Sequence, residues 1–180
     1  LEELELCAVE HHIKNIDAIN GSWEDVCIDP ADIILCSHVL YGLTDIAPFL
    51  QKINAKATEQ IFILMFMDSP QSELVEIWSE VHGEDRITLP ALPELMTVLW
   101  EIGIYPDLEM IGGRRKQIFQ DKEEALENMR RRLYVEPDTN CDRRLKSALD
   151  YLLVKTTDGL TISSNANGLQ GLATWQPSRA

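Results

Sequence analysis

Two short stretches hold the side chains best suited to chemistry. Gly21-Ser22-Trp23-Glu24-Asp25 sets an indole beside two carboxylates, a group that can stack on a heteroaromatic base and accept its exocyclic amine. Cys36-Ser37-His38-Val39-Leu40-Tyr41 offers a hydroxyl, an imidazole and a phenol within six residues. Each residue also has a plainer reading. Trp23 can be an edge residue covering a helix, and Glu24 and Asp25 a solvated loop. His38 can be a satisfied structural histidine and Tyr41 a packing residue. Adjacent His11 and His12 would project about 100° apart on a helix, so they cannot share a metal as i, i+4 histidines do. Both are read as surface residues. Arg130, Arg131, Arg132, Arg143 and Arg144 read as the wet face of two helices, with an anion-facing lid as the alternative.

Several motifs are missing from the sequence. It holds no GxGxxG, Walker GxxxxGK[ST], GxSxG or HExxH, so nucleophile triads and zinc hydrolysis have no support in it. Cys7, Cys27, Cys36 and Cys141 lie far apart without a CxxC. They are expected to be free, buried thiols of a reducing compartment, with no metal bound.

The elements that would position these groups follow from hydrophobic spacing. Residues 2–14 read as a helix with Leu4 and Ala8 on one face, and Ile16–Asn20 as a short strand ending at Gly21. Asp32–Val39 is an unalternating apolar run, expected to be a strand covered on both faces as in a parallel sheet. Thr44 or Asp45 can cap a helix over about 46–57 carrying Ile46, Phe49, Leu50 and Ile53. Ile61–Met67 repeats the buried-strand pattern. A helix starting at Asp68-Ser69-Pro70 and another over Pro93–Ile102 come next. Asp107–Ile111 is a strand candidate, with Arg115–Phe119 continuing it past Gly112-Gly113. Lys122–Leu133 and Cys141–Val154 are two amphipathic helices. Leu160–Ser163 and Leu172–Gln176 suggest a terminal hairpin around Asn165-Ala166-Asn167-Gly168. Strands alternating with helices predict an α/β fold with a mostly parallel sheet, as a single domain over 1–180 with a helical insertion at 120–155. In such a sheet ligands lie beyond the carboxyl ends of the strands, which is where both polar stretches fall.

Composition narrows the partners. The chain has 180 residues and a net charge of −14, which opposes broad contact with nucleic-acid phosphates or anionic lipid. Residues 1–113 carry −17 and residues 114–180 carry +3, so the C-terminal third differs in character. The longest apolar run is seven residues, Ile61–Met67, far short of a bilayer span. The acidic opening Leu1-Glu2-Glu3-Leu4-Glu5 is unlike a secretory leader, so a cytoplasmic protein is expected.

Over DIILCSHVLYGLTDIAPFLQKI (32–53) the chain resembles class I S-adenosylmethionine-dependent methyltransferases, particularly those acting on small molecules. In that family an acidic residue and apolar run form the fourth strand. GSWEDV (21–26) is similar to the loop after the third strand, where an acidic or aromatic pair contacts adenine. IFILMFM looks like strand five, and 107–119 with 171–176 like the antiparallel pair of strands six and seven. The resemblance implies a Rossmann-like fold and S-adenosylmethionine as cofactor. It implies cofactor contacts from Ser22, Trp23, Glu24, Cys36 and Ser37, and substrate contacts from His38 and Tyr41. His38 would serve as a base if the acceptor carries a proton. The partner implied is a small-molecule methyl acceptor. The family's glycine-rich turn after strand one is missing, so the chain is expected to be a C-terminal fragment of the enzyme. In the family order 3-2-1-4-5-7-6 that leaves the third strand orphaned. The alternative is a non-catalytic methyltransferase-like interaction module, working as a homodimer through the exposed sheet edge.

Overall fold

The computed structural model describes residues 1–112, 117–163 and 168–177. In chain order the elements are α1 (Glu2–Glu10), β1 (Ala31–Ser37), α2 (Ala47–Lys56), β2 (Ala57–Phe66), α3 (Val75–His82), α4 (Leu92–Glu101) and β3 (Asp107–Ile111). They continue with α5 (Lys122–Leu133), α6 (Asn140–Leu152), β4 (Leu153–Thr156), β5 (Gly159–Ile162) and β6 (Gln170–Trp175). The chain divides into two compact units. One holds Leu1–Ile34, Asp45–Ile61 and the residues from Gln176 on. The other holds Leu35–Thr44 and Phe62–Trp175.

The main sheet has the order β1-β2-β6-β3. Asp32 accepts a hydrogen bond from the Thr58 hydroxyl (3.0 Å) at one end of β1, and His38 N–H donates to Leu64 O (2.9 Å) just beyond the other. Both pairs are 26 residues apart, so β1 and β2 run in the same direction, as a helical crossover requires. β3 and β6 pair antiparallel, Asp107 opposite Thr174 and Ile111 opposite Gln170. The sheet is therefore mixed, with a parallel step at one edge and an antiparallel pair at the other.

β2 buries Ile61, Ile63 and Met65 on one face. In the larger unit, α4 lies close on β6 because Gly171 has no side chain. A Cβ there would stand 2.4 Å from Leu92 Cδ2 and 2.9 Å from Leu108 Cδ1. A second core joins α3, α5 and α6 through Ile77, Val81, Leu126, Met129 and Leu145, and also takes in Leu74, just before α3, and Phe119. Arg130 and Asp142 clamp α5 to α6. Arg130 Nε and Nη2 meet the two carboxylate oxygens of the fully buried Asp142 at 2.9 and 3.1 Å.

Several expectations need correction. Ile16–Asn20 forms no strand: the segment is irregular and mostly exposed, and pairs with no strand among the described residues. β1 is not covered on both faces. It is an edge strand with Ile33 57% and Leu35 69% exposed. Leu4, Leu6 and Val9 of α1 are likewise exposed, leaving Ala8 as its buried residue. The terminal hairpin does not form. β5 pairs with β4 in a separate two-stranded sheet, while β6 enters the main sheet between β2 and β3. Phe119 does not continue β3 but bridges to Leu160. Cys7 and Cys27 are exposed, whereas Cys36 is buried and Cys141 partly so. Arg130 is not on a wet face. Gly113–Lys116 and the proposed turn residues 165–167 lie outside the described residues.

Candidate functional site

At the end of β1, the chain leaves the sheet through His38, whose φ is +56°. Left-handed backbone is uncommon outside glycine, though histidine tolerates it better than most, and holding it costs about 1–3 kcal/mol. Three other non-glycine residues among those described share this conformation: His12, Tyr134 and Asp138. His12 follows α1, Tyr134 caps α5 and Asp138 leads into α6. Those three serve helix ends; His38 follows a strand.

The His38 turn brings Tyr41 back over the sheet. Tyr41 is buried, and its Oη accepts the N–H of Phe66, the last residue of β2, at 2.8 Å. The same oxygen lies 2.9 Å from His38 Nδ1. The His38 ring stacks on Phe66, with centroids 4.3 Å apart and planes 23° from parallel. One nitrogen of a half-buried imidazole is thus held firmly, while Nε2 makes no hydrogen bond among the described residues. Beside it Ser37 is exposed and Cys36 buried. Loss of hydration pushes the Cys36 thiol up to about 11, so it is neutral near pH 7 and is not a thiolate nucleophile. Of the residues picked out from the sequence over 36–41, the structure joins His38 and Tyr41 by a direct contact. Phe66, whose ring and N–H hold that pair, was not among them; its place at the end of the IFILMF run was the only signal.

Ser22, Trp23 and Glu24 belong to the smaller unit, where they form a tight turn against α2. Asp25 and Val26 N–H both donate to Ser22 O (3.1 Å), and Ser22 Oγ donates to Asp25 Oδ2 (2.7 Å). The Trp23 ring packs on Phe49, centroids 5.7 Å apart, and its Nε1 donates to Phe49 O at 3.4 Å. The packing reading of Trp23 is therefore seen directly for one ring face. Lys52 secures the loop. Its ammonium donates to the carbonyls of Trp23, Glu24 (3.2 Å) and Val26 (2.6 Å), and sits 5.0 Å from the indole centroid. One turn later, Lys56 holds Ile28 O at 2.6 Å. Neither lysine was singled out from sequence, although two cations four apart on a helix in so acidic a segment were a readable signal. Asp25 is spent within the turn; the Glu24 side chain is exposed.

No protein-family model matches the chain, and no curated protein matches it. Among solved structures, the chain is similar to the 1.95 Å crystal structure of a proposed methyltransferase from Bacillus halodurans C-125. The TM-score is 0.58 at 11% identity, over 98% of this chain and 78% of that one. At that identity the likeness is one of fold: the chain has a methyltransferase-like α/β fold. No helix among the described residues is long and apolar enough to cross a membrane.

Proposed function

We propose that this chain is the C-terminal part of an S-adenosylmethionine-dependent methyltransferase acting on a small molecule in the cytoplasm. The observation that carries the reading is the strained His38 turn at the end of β1, held by Tyr41 and Phe66, in a methyltransferase-like fold. Strain of this kind is retained where the surroundings impose it, and it clusters at functional sites.

By the family resemblance, Trp23 and Glu24 would contact the adenine, and Ser37 with the Cys36 backbone would lie near the methionyl end of the cofactor. Glu24 offers an exposed carboxylate to an exocyclic amine, next to the Trp23 indole. Ser37 offers an exposed hydroxyl beside the Cys36 backbone. A glycine-lined cradle is not formed by the described residues near either group: a Cβ on Gly42 would meet open space, and one on Gly21 would meet Val26. S-adenosylmethionine, when bound, supplies a methyl group on an electrophilic sulfonium. What this chain contributes is alignment and the exclusion of water, with His38 addressing the acceptor and Tyr41 holding the His38 ring.

Trp23→Ala combined with Ser37→Ala, in the natural gene product that contains these residues, should weaken S-adenosylhomocysteine binding at least tenfold while leaving the circular dichroism spectrum intact. Unchanged affinity in the folded double variant overturns the assignment. A second reading, a non-catalytic module that self-associates, is favoured by the open edge of β1 and its exposed Ile33 and Leu35. Under that reading Leu35→Lys shifts the sedimentation of the protein to monomer; under the first, it leaves cofactor binding unaltered.

A further inference from the structure

Resting on the methyltransferase reading above, we propose that Tyr41 is a positioning residue that fixes His38 as an Nε2–H hydrogen-bond donor, so that the β1 end takes an oxygen anion such as a carboxylate. The Tyr41 oxygen stands within hydrogen-bond distance of Phe66 N (2.8 Å) and His38 Nδ1 (2.9 Å). The Phe66 N–H can only donate, so Oη is an acceptor there. At Nδ1 two arrangements exist. Either Nδ1–H also donates to Oη, or the phenol donates to an unprotonated Nδ1. The second runs head to tail, from amide N–H to phenol O–H to imidazole nitrogen, and each bond polarises the next in the same sense. The first converges two donors on one oxygen and forgoes that reinforcement. Head-to-tail order leaves the neutral imidazole with its proton on Nε2.

The other constraints act on the same ring. Phe66 fixes its plane by stacking, and the left-handed backbone at His38 fixes where it leaves the chain. Nε2 is the nitrogen without a partner among the described residues, so the group on offer is a preset N–H. A donor of this kind recognises a lone pair, most strongly an anionic oxygen. It cannot at the same time remove a proton from the acceptor. The role of His38 as a base, implied by the family resemblance, gives way here to one of recognition. The acceptor oxygen arrives already ionised and has no proton to lose.

The test is tautomer-resolved NMR on 15N-histidine-labelled full-length protein, free of cofactor, with benzoate and benzylammonium as probes of one ring and opposite hydrogen-bonding sense. In neutral His38 the proton is expected on Nε2, with Nδ1 unprotonated. Benzoate should shift the Nε2 resonance saturably, and benzylammonium should not. Tyr41→Phe keeps the ring but loses the hydroxyl, and should return the two tautomers to a mixture without unfolding the protein. A proton on Nδ1 in the wild type, an unmoved Nε2 resonance with benzoate, or a tautomer indifferent to Tyr41→Phe each overturns the proposal. No cofactor is involved, so these outcomes are distinct from a failure of S-adenosylhomocysteine to bind.

Discussion

Leu145→Ala tests whether the three-helix core is packed as described. Leu145 is fully buried on α6, among side chains from α3 and α5. Removing its outer carbons forfeits about 2 kcal/mol of transfer free energy, at roughly 0.8 kcal/mol per carbon. The cavity left between three helices adds about 1 kcal/mol more, since such a site relaxes only in part. A loss of about 3 kcal/mol lowers the melting temperature by about 6–12 °C for a protein of this size. The control is Leu35→Ala, the same chemical change at an exposed edge-strand position, where the cost is within about 0.5 kcal/mol. Thermal melting by circular dichroism reads both variants. Urea unfolding followed by fluorescence adds a local probe, since Trp78 packs against this core. If Leu145→Ala costs less than about 1 kcal/mol, or Leu35→Ala costs as much as Leu145→Ala, the assignment of inside and outside is wrong.

Two further predictions concern the same unit. Arg130 first, then Lys146 and the Asp138 N–H, hold the Asp142 carboxyl well below the usual carboxylate range. A depressed folded value means that this stabilisation is fully present above the unfolded value of about 4 and is lost as pH falls through the folded one. Urea midpoints measured from pH 7 down to pH 2 should therefore fall for the wild type. Asp142→Asn should be less stable at pH 7 and flatter over the acid limb, and parallel curves for the two would refute the linkage. Gly159→Ala introduces a Cβ 2.5 Å from Phe119 O at a φ of +143°. It should cost about 1–3 kcal/mol and open the Phe119–Leu160 bridge; an unchanged melting temperature would show that the approach is not tight.

Local patterns told most where an element makes its own case. α2 was legible because Phe49, Leu50 and Ile53 recur at helical spacing and all three are buried. α5 runs over the anticipated residues because Asp121 caps it, accepting from Glu124 N–H. Pairing partners were harder to read. Hydrophobic pattern alone suggested the nearer β5 as the partner of β6, whereas β6 joins β3 across more than fifty residues, the antiparallel pair that the family resemblance implied for 107–119 with 171–176. β4 was hidden in the apolar tail of α6, where Leu152-Leu153-Val154 suits either state. The DIILCS run is as apolar as a central strand, yet lies at an edge, because composition does not say whether a neighbour is present. The arginine clusters looked uniformly wet; Arg130 meets Asp142 only once α5 and α6 are packed. At the candidate site, the four residues of 36–41 lay close in sequence, so their proximity was legible. The hold of Phe66 on Tyr41 and His38 comes from a different strand and was not.

The central claim is that this fold serves methyl transfer with S-adenosylmethionine. Calorimetric titration of S-adenosylhomocysteine into the natural gene product that contains these residues tests it most directly. The account predicts saturable one-to-one binding in the micromolar range, weakened by Trp23→Ala with Ser37→Ala. Absence of binding up to millimolar ligand, in protein whose melting curve shows it folded, would contradict it and leave the self-associating module as the reading of the open β1 edge.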